Sequence, residues 1–405
     1  MTTPPGSGFW RCGRCGTPNP AANYVRNCVA CGADRGLVAQ RVVEDPPQEA
    51  RSRSDSSRSP REPRRRSAQR GRLGFGLAAA VAWLLAVLVV LVATRGLASV
   101  PWPTGLLLLM PRAIWLLPAL PIGVAAIARR SRLTASVTVL GSLIVLGPLM
   151  GFNIPWGGLL PAGEGGPSVV RVLSLNRGGV AIDAARLIKY IERYRIDVLC
   201  FQEFGDDPLL DEYLSKGWNR EKDGYIATRH EIVSEIPPPP EQNADQERYT
   251  MSLRRLELKR ADGLRFQVAS VHMPTLSRGL SGGLGVGFRP SRFQAHLDWW
   301  SKEFGRLVES LSEHQDHPLI VAGDLNMPAD HPLLRELRST EVFRFAFEER
   351  AWGYGYTKPP DFGWARIDHV LSSREWEVRR CWIGPSFGSD HRSIVAEFEL
   401  PPVNP

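Results

Sequence analysis

Twenty-two consecutive residues, Leu73–Thr94, carry no charge. A bilayer core of about 30 Å needs roughly 20 apolar helical residues, so this run reads as a membrane span. A second uncharged run covers Leu133–Phe152. Between them Pro103–Ala128 is apolar but interrupted by Pro111, Arg112, Pro118 and Pro121. Arg112 could snorkel toward an interface, and neighbouring helices tolerate the prolines. The expectation is three transmembrane helices within residues 73–152, in a multi-pass protein of the cell membrane. The first run begins too far from Met1 for a signal peptide.

Cations choose the orientation. Nine arginines lie within residues 51–72, ahead of the first run. Arg129, Arg130 and Arg132 separate the second run from the third, whereas the loop after the first run has only Arg95. Keeping both basic segments in the cytoplasm puts the N-terminus inside and everything after Phe152 outside. A re-entrant second segment would reverse that. Residues 35–72 read as a disordered basic linker, because Arg, Ser and Pro cannot bury apolar surface. Its charge could attract anionic lipid or serve only to set topology.

Charge divides unevenly along the 405 residues, a length that suggests two or three units. Residues 1–167 hold 19 Lys and Arg against 7 Asp and Glu, while residues 168–405 hold 31 against 35. The C-terminal part is therefore slightly acidic despite a net charge of +8. It lacks the basic footprint of a non-specific nucleic-acid binder.

Four of the six cysteines are Cys12, Cys15, Cys28 and Cys31. Two C-x2-C pairs can present four thiolates tetrahedrally to Zn2+, and the metal would supply folding energy that so short a segment lacks. A redox dithiol pair is the other reading. Cys200 and Cys381 fall in predicted strands and read as core residues.

From Ser168 onward strands and helices alternate. Strands are expected over 169–176, 197–203, 249–258 and 264–272, and again near 318–326, 366–372, 377–384 and 393–400. Helices are expected over 181–194 and 292–313. Strand pairs mixed with helices suggest two packed sheets with helices outside. Asn176, Glu203, His272, Asp324, Asn326, Asp368, Asp390 and His391 all stand at strand ends. Ends gathered at one edge of a sandwich can converge on one cleft. Taken singly, Asp324 could start a turn, Asn326 could cap a helix and His272 could be a satisfied strand-end histidine.

The strings LSLN, FQE, SVHMP, GDLN, RIDHV and SDH, in that order over about 230 residues, resemble the endonuclease/exonuclease/phosphatase superfamily. That resemblance implies an α+β fold, a four-layer α/β/β/α sandwich over residues 168–402. It also implies Mg2+- or Mn2+-dependent phosphoester hydrolysis. In its terms Glu203, Asn176 and Asp390 would contact the metal. His391 would accept a proton or contact phosphate, and Asp368 would fix its tautomer. Asp324 would orient the attacking water, while Asn326 and His272 would donate to phosphate oxygens. Trp10, Cys12, Cys15, Asn19, Cys28 and Cys31, within residues 8–34, resemble the Ran-binding nucleoporin zinc finger, although the second pair is displaced by two residues. That resemblance implies a protein or RNA partner.

The Gly-rich stretch 275–292 carries Arg278, Arg289 and Arg292, which could clamp phosphate or belong to a disordered loop. Tyr356 and Thr357 are further pocket candidates. Three membrane spans ahead of such a domain are similar to a bacterial membrane group that includes a glycopeptide-resistance protein, which implies undecaprenyl-pyrophosphate-like substrates. A linker over 153–167 keeps the cleft near the bilayer. The expected function is hydrolysis of a lipid-linked or small phosphoester outside the cytoplasm. A nuclease with a nucleic-acid substrate, or a non-catalytic receptor, are the alternatives.

Overall fold

The computed structural model describes residues 9–12, 18–20, 39–40, 63–96, 100–158, 168–203, 205, 207–238, 251–280, 287–313, 316–361 and 363–400. The chain divides into two units, Met1–Arg66 and Ser67–Pro405. In the first, three short strands form a sheet in the order β2-β1-β3: β1 Phe9–Cys12, β2 Pro18–Pro20 and β3 Ala39–Gln40. Cys15, Cys28 and Cys31 lie outside the described residues, and so does the expected Zn2+ site.

Helix α1 runs from Pro63 to Gly96. Its start lies inside the basic stretch expected to be disordered. Arg, Ala and Gln are good helix formers, so the apolar helix extends backward through them. The second apolar stretch is two arms rather than one rod. Helix α2 (Trp102–Leu109) is followed by a 3-10 turn (Arg112–Leu116) and α3 (Ala119–Ala128), with a bend of 91° between the arms. Met110 is extended ahead of Pro111, as a residue before proline prefers. Helix α4 (Arg132–Ile144) ends in a π-turn, Val145–Leu149.

Two helical segments, Gly74–Gly96 and Arg132–Leu149, are long and apolar enough to cross a membrane, and the bent pair makes three if its arms count as one. Their outward faces are apolar: Val89, Val92, Leu120, Ile127, Leu133 and Leu143 are all exposed. Inside, Trp83 and Val87 of α1 pack against Val145 and Leu149. Gly141 makes this possible, since a Cβ there would lie 2.4 Å from the Trp83 ring.

The C-terminal domain begins with β4 (Val170–Asn176), α5 (Ala184–Tyr194), β5 (Val198–Gln202), α6 (Pro208–Leu214), β6 (Asn219–Arg220), β7 (Ile226–Thr228) and β8 (Glu231–Ile236). It continues with β9 (Ser252–Lys259), β10 (Arg265–His272), α7 (Pro290–Ser312), β11 (Leu319–Asp324), α8 (Pro332–Ser339) and β12 (Phe343–Phe345). Then come α9 (Ala346–Arg350), β13 (Asp368–Ser373), β14 (Glu377–Ile383) and β15 (Ile394–Glu399). The strands form two six-stranded sheets, β12-β13-β11-β10-β9-β8 and β14-β15-β4-β5-β7-β6.

Alternation along the strands builds three cores. On β4, Val170 and Val172 face the other sheet, while Leu173 and Leu175 face α5 and α6. On β10, Phe266 and Val268 enter the inter-sheet layer, whereas Ala269 and Val271 face α7. Side chains thus fill α/β, β/β and β/α layers, the sandwich expected of this pattern. Cys200 and Cys381 are buried and unbridged.

Helix α2 belongs to this core. Val100 and Leu108 cluster with Phe293, Leu297 and Trp300 of α7. The Trp102 N–H donates to Gln294 Oε1 at 2.7 Å. Asn153, placed in the expected linker, donates to the carbonyls of Phe347, Glu348 and Ala351 and is therefore anchored. Residues 159–167 lie outside the described residues.

Gly323 and Gly305 provide opposite tests. A Cβ at Gly323 would lie 1.9 Å from the Val271 carbonyl oxygen on β10, whereas Gly305 in α7 faces open space. Gly323→Ala is expected to destabilise the full chain in detergent by about 3 kcal/mol. Gly305→Ala should stabilise it by about 0.5–1 kcal/mol. Denaturant midpoints with the same sign for both would contradict this packing.

Candidate active site

Register brings the polar strand ends together. His272 pairs with Asp324 between parallel β10 and β11, and Asp324 pairs with Asp368 between antiparallel β11 and β13. Three chemical groups thus stand in one row, at the open end of the inter-sheet layer. On the other sheet Asn176 ends β4, opposite Gln202 of β5. The two rows meet where Asn176 Nδ2 donates to Asp324 Oδ2 at 2.9 Å and to Glu203 Oε1 at 3.2 Å.

Backbone strain aims two of the side chains. Glu203 (φ 48°) and Asn326 (φ 50°) adopt the left-handed region just past their strands. Asn tolerates that conformation; Glu does so only where the surroundings impose it. Asn326 donates through its backbone N–H to Asp324 Oδ1 at 2.8 Å, and its Nδ2 donates to the Met273 carbonyl at 2.7 Å. His272 Nε2 lies 3.5 Å from Glu203 and 3.9 Å from Asp324.

His391 approaches from the loop before β15. Its Nδ1 is 2.9 Å from Asp368 Oδ2 and its Nε2 is 3.7 Å from Asp324 Oδ2. Ser389 holds this loop, donating to the Asn176 carbonyl at 2.6 Å and accepting from the His391 N–H at 3.0 Å. Thr357, a pocket candidate by sequence, is fully buried; its hydroxyl oxygen accepts from the backbone N–H groups of Ile367 and Asp368. That bond fixes the strand carrying Asp368. Tyr356 faces a different cavity from the catalytic groups.

Lys358 escaped the sequence reading. Its Nζ lies 2.8 Å from His391 Nε2 and 3.0 Å from Asp390 Oδ2. It sits on an irregular loop with no motif around it, so only the fold delivers it. Asp390, expected to contact a metal, is half-exposed and paired with this lysine. Arg278 lines the cavity above the site, whereas Arg289 and Arg292 are exposed around the N-terminus of α7 and do not line it.

Burial and charge set the protonation states. Asp324 is buried beside Asp368, and both influences push its carboxyl well above the usual range. Burial works against the charge of His391, but Asp368 and then Asp324 outweigh it and raise the ring to about 9. Burial lowers His272.

The carboxylates suit a hard cation. Ligand atoms of Asp324, Asp368 and His391 lie within 4.8 Å of one another, forming a possible metal site among the described residues. Asp368 Oδ1 is buried with no hydrogen-bond partner. Two buried carboxylates with an unused lone-pair oxygen are costly unless a cation or proton joins them, so the donor set fits a divalent ion.

The family model for the endonuclease/exonuclease/phosphatase family matches residues 152–391, more than half of the chain. The chain belongs to that family. Its C-terminal domain is accordingly a hydrolase domain. Similar solved structures include an endonuclease/exonuclease/phosphatase family protein from Bacteroides thetaiotaomicron, at 17% identity over 58% of this chain and 100% of that one, TM-score 0.42. The human Nocturnin catalytic domain with bound sulfate is 17% identical over 58% of this chain and 94% of its own, TM-score 0.41. A mannosyl-6-phosphatase from Bacteroides thetaiotaomicron is 17% identical over 56% and 99%, TM-score 0.40. No curated relative matches the sequence.

The His391 ring is expected to titrate near pH 9 in the full chain without divalent ions, measured by NMR of labelled histidine. Asp368→Asn removes the largest group favouring the imidazolium, so the ring should then titrate close to the ordinary histidine value of about 6.5. A ring already titrating there in the unsubstituted chain would refute the pairing.

Proposed function

We propose that this protein is a membrane-anchored, divalent-metal-dependent phosphoester hydrolase whose substrate carries its phosphate on a lipid. One observation carries the reading. The catalytic cavity, about 660 Å³, is lined both by Glu203, His272, Asp324, Asn326 and Lys358 and by Leu108 and Leu109 of α2. A wall taken from an apolar membrane-proximal arm is suited to a hydrocarbon chain, and the polar wall to a phosphate. The extracytoplasmic orientation rests on the arginine distribution.

Bound Mg2+ or Mn2+ would act as Lewis acid toward a phosphoryl oxygen. Glu203 and Asn176 would hold it together with the buried carboxylates of Asp324 and Asp368. Asp324 would orient the attacking water, from its position within 4 Å of both His272 and His391. Asp368 orients the His391 ring through Nδ1, leaving Nε2 facing Asp324 and Lys358. Asn326 and His272 stand ready to donate to phosphate oxygens as charge builds. Lys358 and Arg278 supply positive charge to the same cavity, where a slightly acidic domain would otherwise repel a phosphate.

The test uses the full chain in detergent, with a prenyl pyrophosphate, a lipid phosphodiester and plasmid DNA as substrates. Phosphate release from the lipids should vanish with chelator. Glu203→Ala, His391→Ala and Lys358→Ala should each lower kcat by about 10²–10³-fold. DNA cleaved in preference to lipid would favour a nuclease, and turnover indifferent to Glu203→Ala and His391→Ala would end the proposed mechanism.

A further inference from the structure

Where the apolar helices meet the C-terminal domain lies a second cavity, of about 190 Å³, lined by Arg95, Arg112, Arg335, Arg338 and Arg366. Only two acidic side chains, Asp330 and Glu348, share it. Arg112 pairs with Asp330. Glu348 receives Arg366 through two bonds of 3.0 Å and Arg338 at 3.5 Å. Among the described residues Arg95 and Arg335 form no ion pair: Arg95 donates to the Pro148 carbonyl, and Arg335 to that of Arg95. Five guanidinium groups therefore face two carboxylates.

This surplus is not fully hydrogen-bonded. Arg112 is only 7% exposed and keeps Nη2 buried without an acceptor, as Arg95 does Nε. Like charges crowded in a small cavity repel unless an anion joins them. Arginine forks match the oxygens of phosphate. The rest of the lining includes Met110, Met150 and Phe152, at the ends of the apolar segments.

We propose that this cavity binds a phosphate group, carried by an anionic membrane lipid or free in solution, at a site separate from the catalytic one. Of these two cavities, Glu203, His272, Asp324 and Lys358 line the catalytic one and not the other, and the five arginines line this one and not the catalytic one. Leu108, Pro328, Trp364 and Ala365 form the partition between them. The anion joins the end of α1, the bend after α2 and helix α8, so it fastens the hydrolase domain to the membrane helices. The site does not depend on whether the hydrolysed substrate is a lipid.

Thermal midpoints of the full chain in detergent test this, with added phosphatidylglycerol, phosphatidylcholine or inorganic phosphate at matched ionic strength. Phosphatidylglycerol should raise the midpoint by several degrees in a concentration-dependent way, and phosphatidylcholine should not. An equal rise with inorganic phosphate assigns the site to free phosphate. Either rise should be lost in the Arg95→Gln, Arg335→Gln double variant and kept in Arg186→Gln, an exposed position on α5. Should the double variant not fold, Arg335→Gln alone suffices, because among the described residues that exposed side chain bonds only the Arg95 main-chain carbonyl. Equal effects of the two lipids without a phosphate effect, or a rise that survives loss of the arginines, overturn the proposal. So does a rise that disappears only in Lys358→Ala.

Discussion

Asp324 is the point on which the two sheets and their chemistry converge. Its Oδ2 accepts from Asn176, which belongs to the opposite sheet, and lies within 4 Å of both His272 and His391. A buried carboxylate between imidazoles and a second carboxylate is electrostatically expensive. The surrounding architecture compensates with donors, since Asn326 supplies a backbone N–H and a side-chain amide. Below it, Gln202 and Ser270 bridge the sheets at 3.1 Å, so the polar floor continues into the inter-sheet layer. Moving either sheet by a fraction of a strand spacing would dissolve this group of contacts.

The apolar helical part is built into the hydrolase domain. Pro111 breaks the second apolar stretch, and the arm before it leaves the bundle to pack on α7. Gly105 permits this approach, because a Cβ there would lie 2.7 Å from Leu297. The same arm presents Leu108 and Leu109 to the catalytic cavity. The apolar helices and the active site therefore share lining residues. The aromatic contacts at the end of α4 act in the same direction: Tyr354 and Tyr356 donate to the Leu146 and Met150 carbonyls, and Tyr354 meets Phe152 edge-on. Ordering of the helices and of the hydrolase domain is thereby coupled.

Much of the fold was legible because it follows local periodicity. Alternating Val170–Asn176 and Arg265–His272, and the helical spacing in Ala184–Tyr194, specify their elements from neighbours two to four residues away. Short elements such as β7 and β12 were missed, since three residues carry too little pattern to register. Composition alone makes residues 63–72 read as disordered, because it does not register how a neighbouring apolar helix propagates.

For the site, motif spacing was enough to name Asn176, Glu203, His272, Asp324, Asn326, Asp368 and His391, because each sits at, or within three residues of, a strand end whose position is set by hydrophobic alternation. Sequence could not say which of them touch, nor that Asp390 turns to a lysine. Lys358 and the arginine cavity were invisible for one physical reason. Both are assembled from loops and helix ends far apart in the chain, whose meeting is governed by how sheets and apolar helices pack and not by any pattern within a single segment. Residue identity decided what chemistry is available to this protein; long-range packing alone decided where those charges meet.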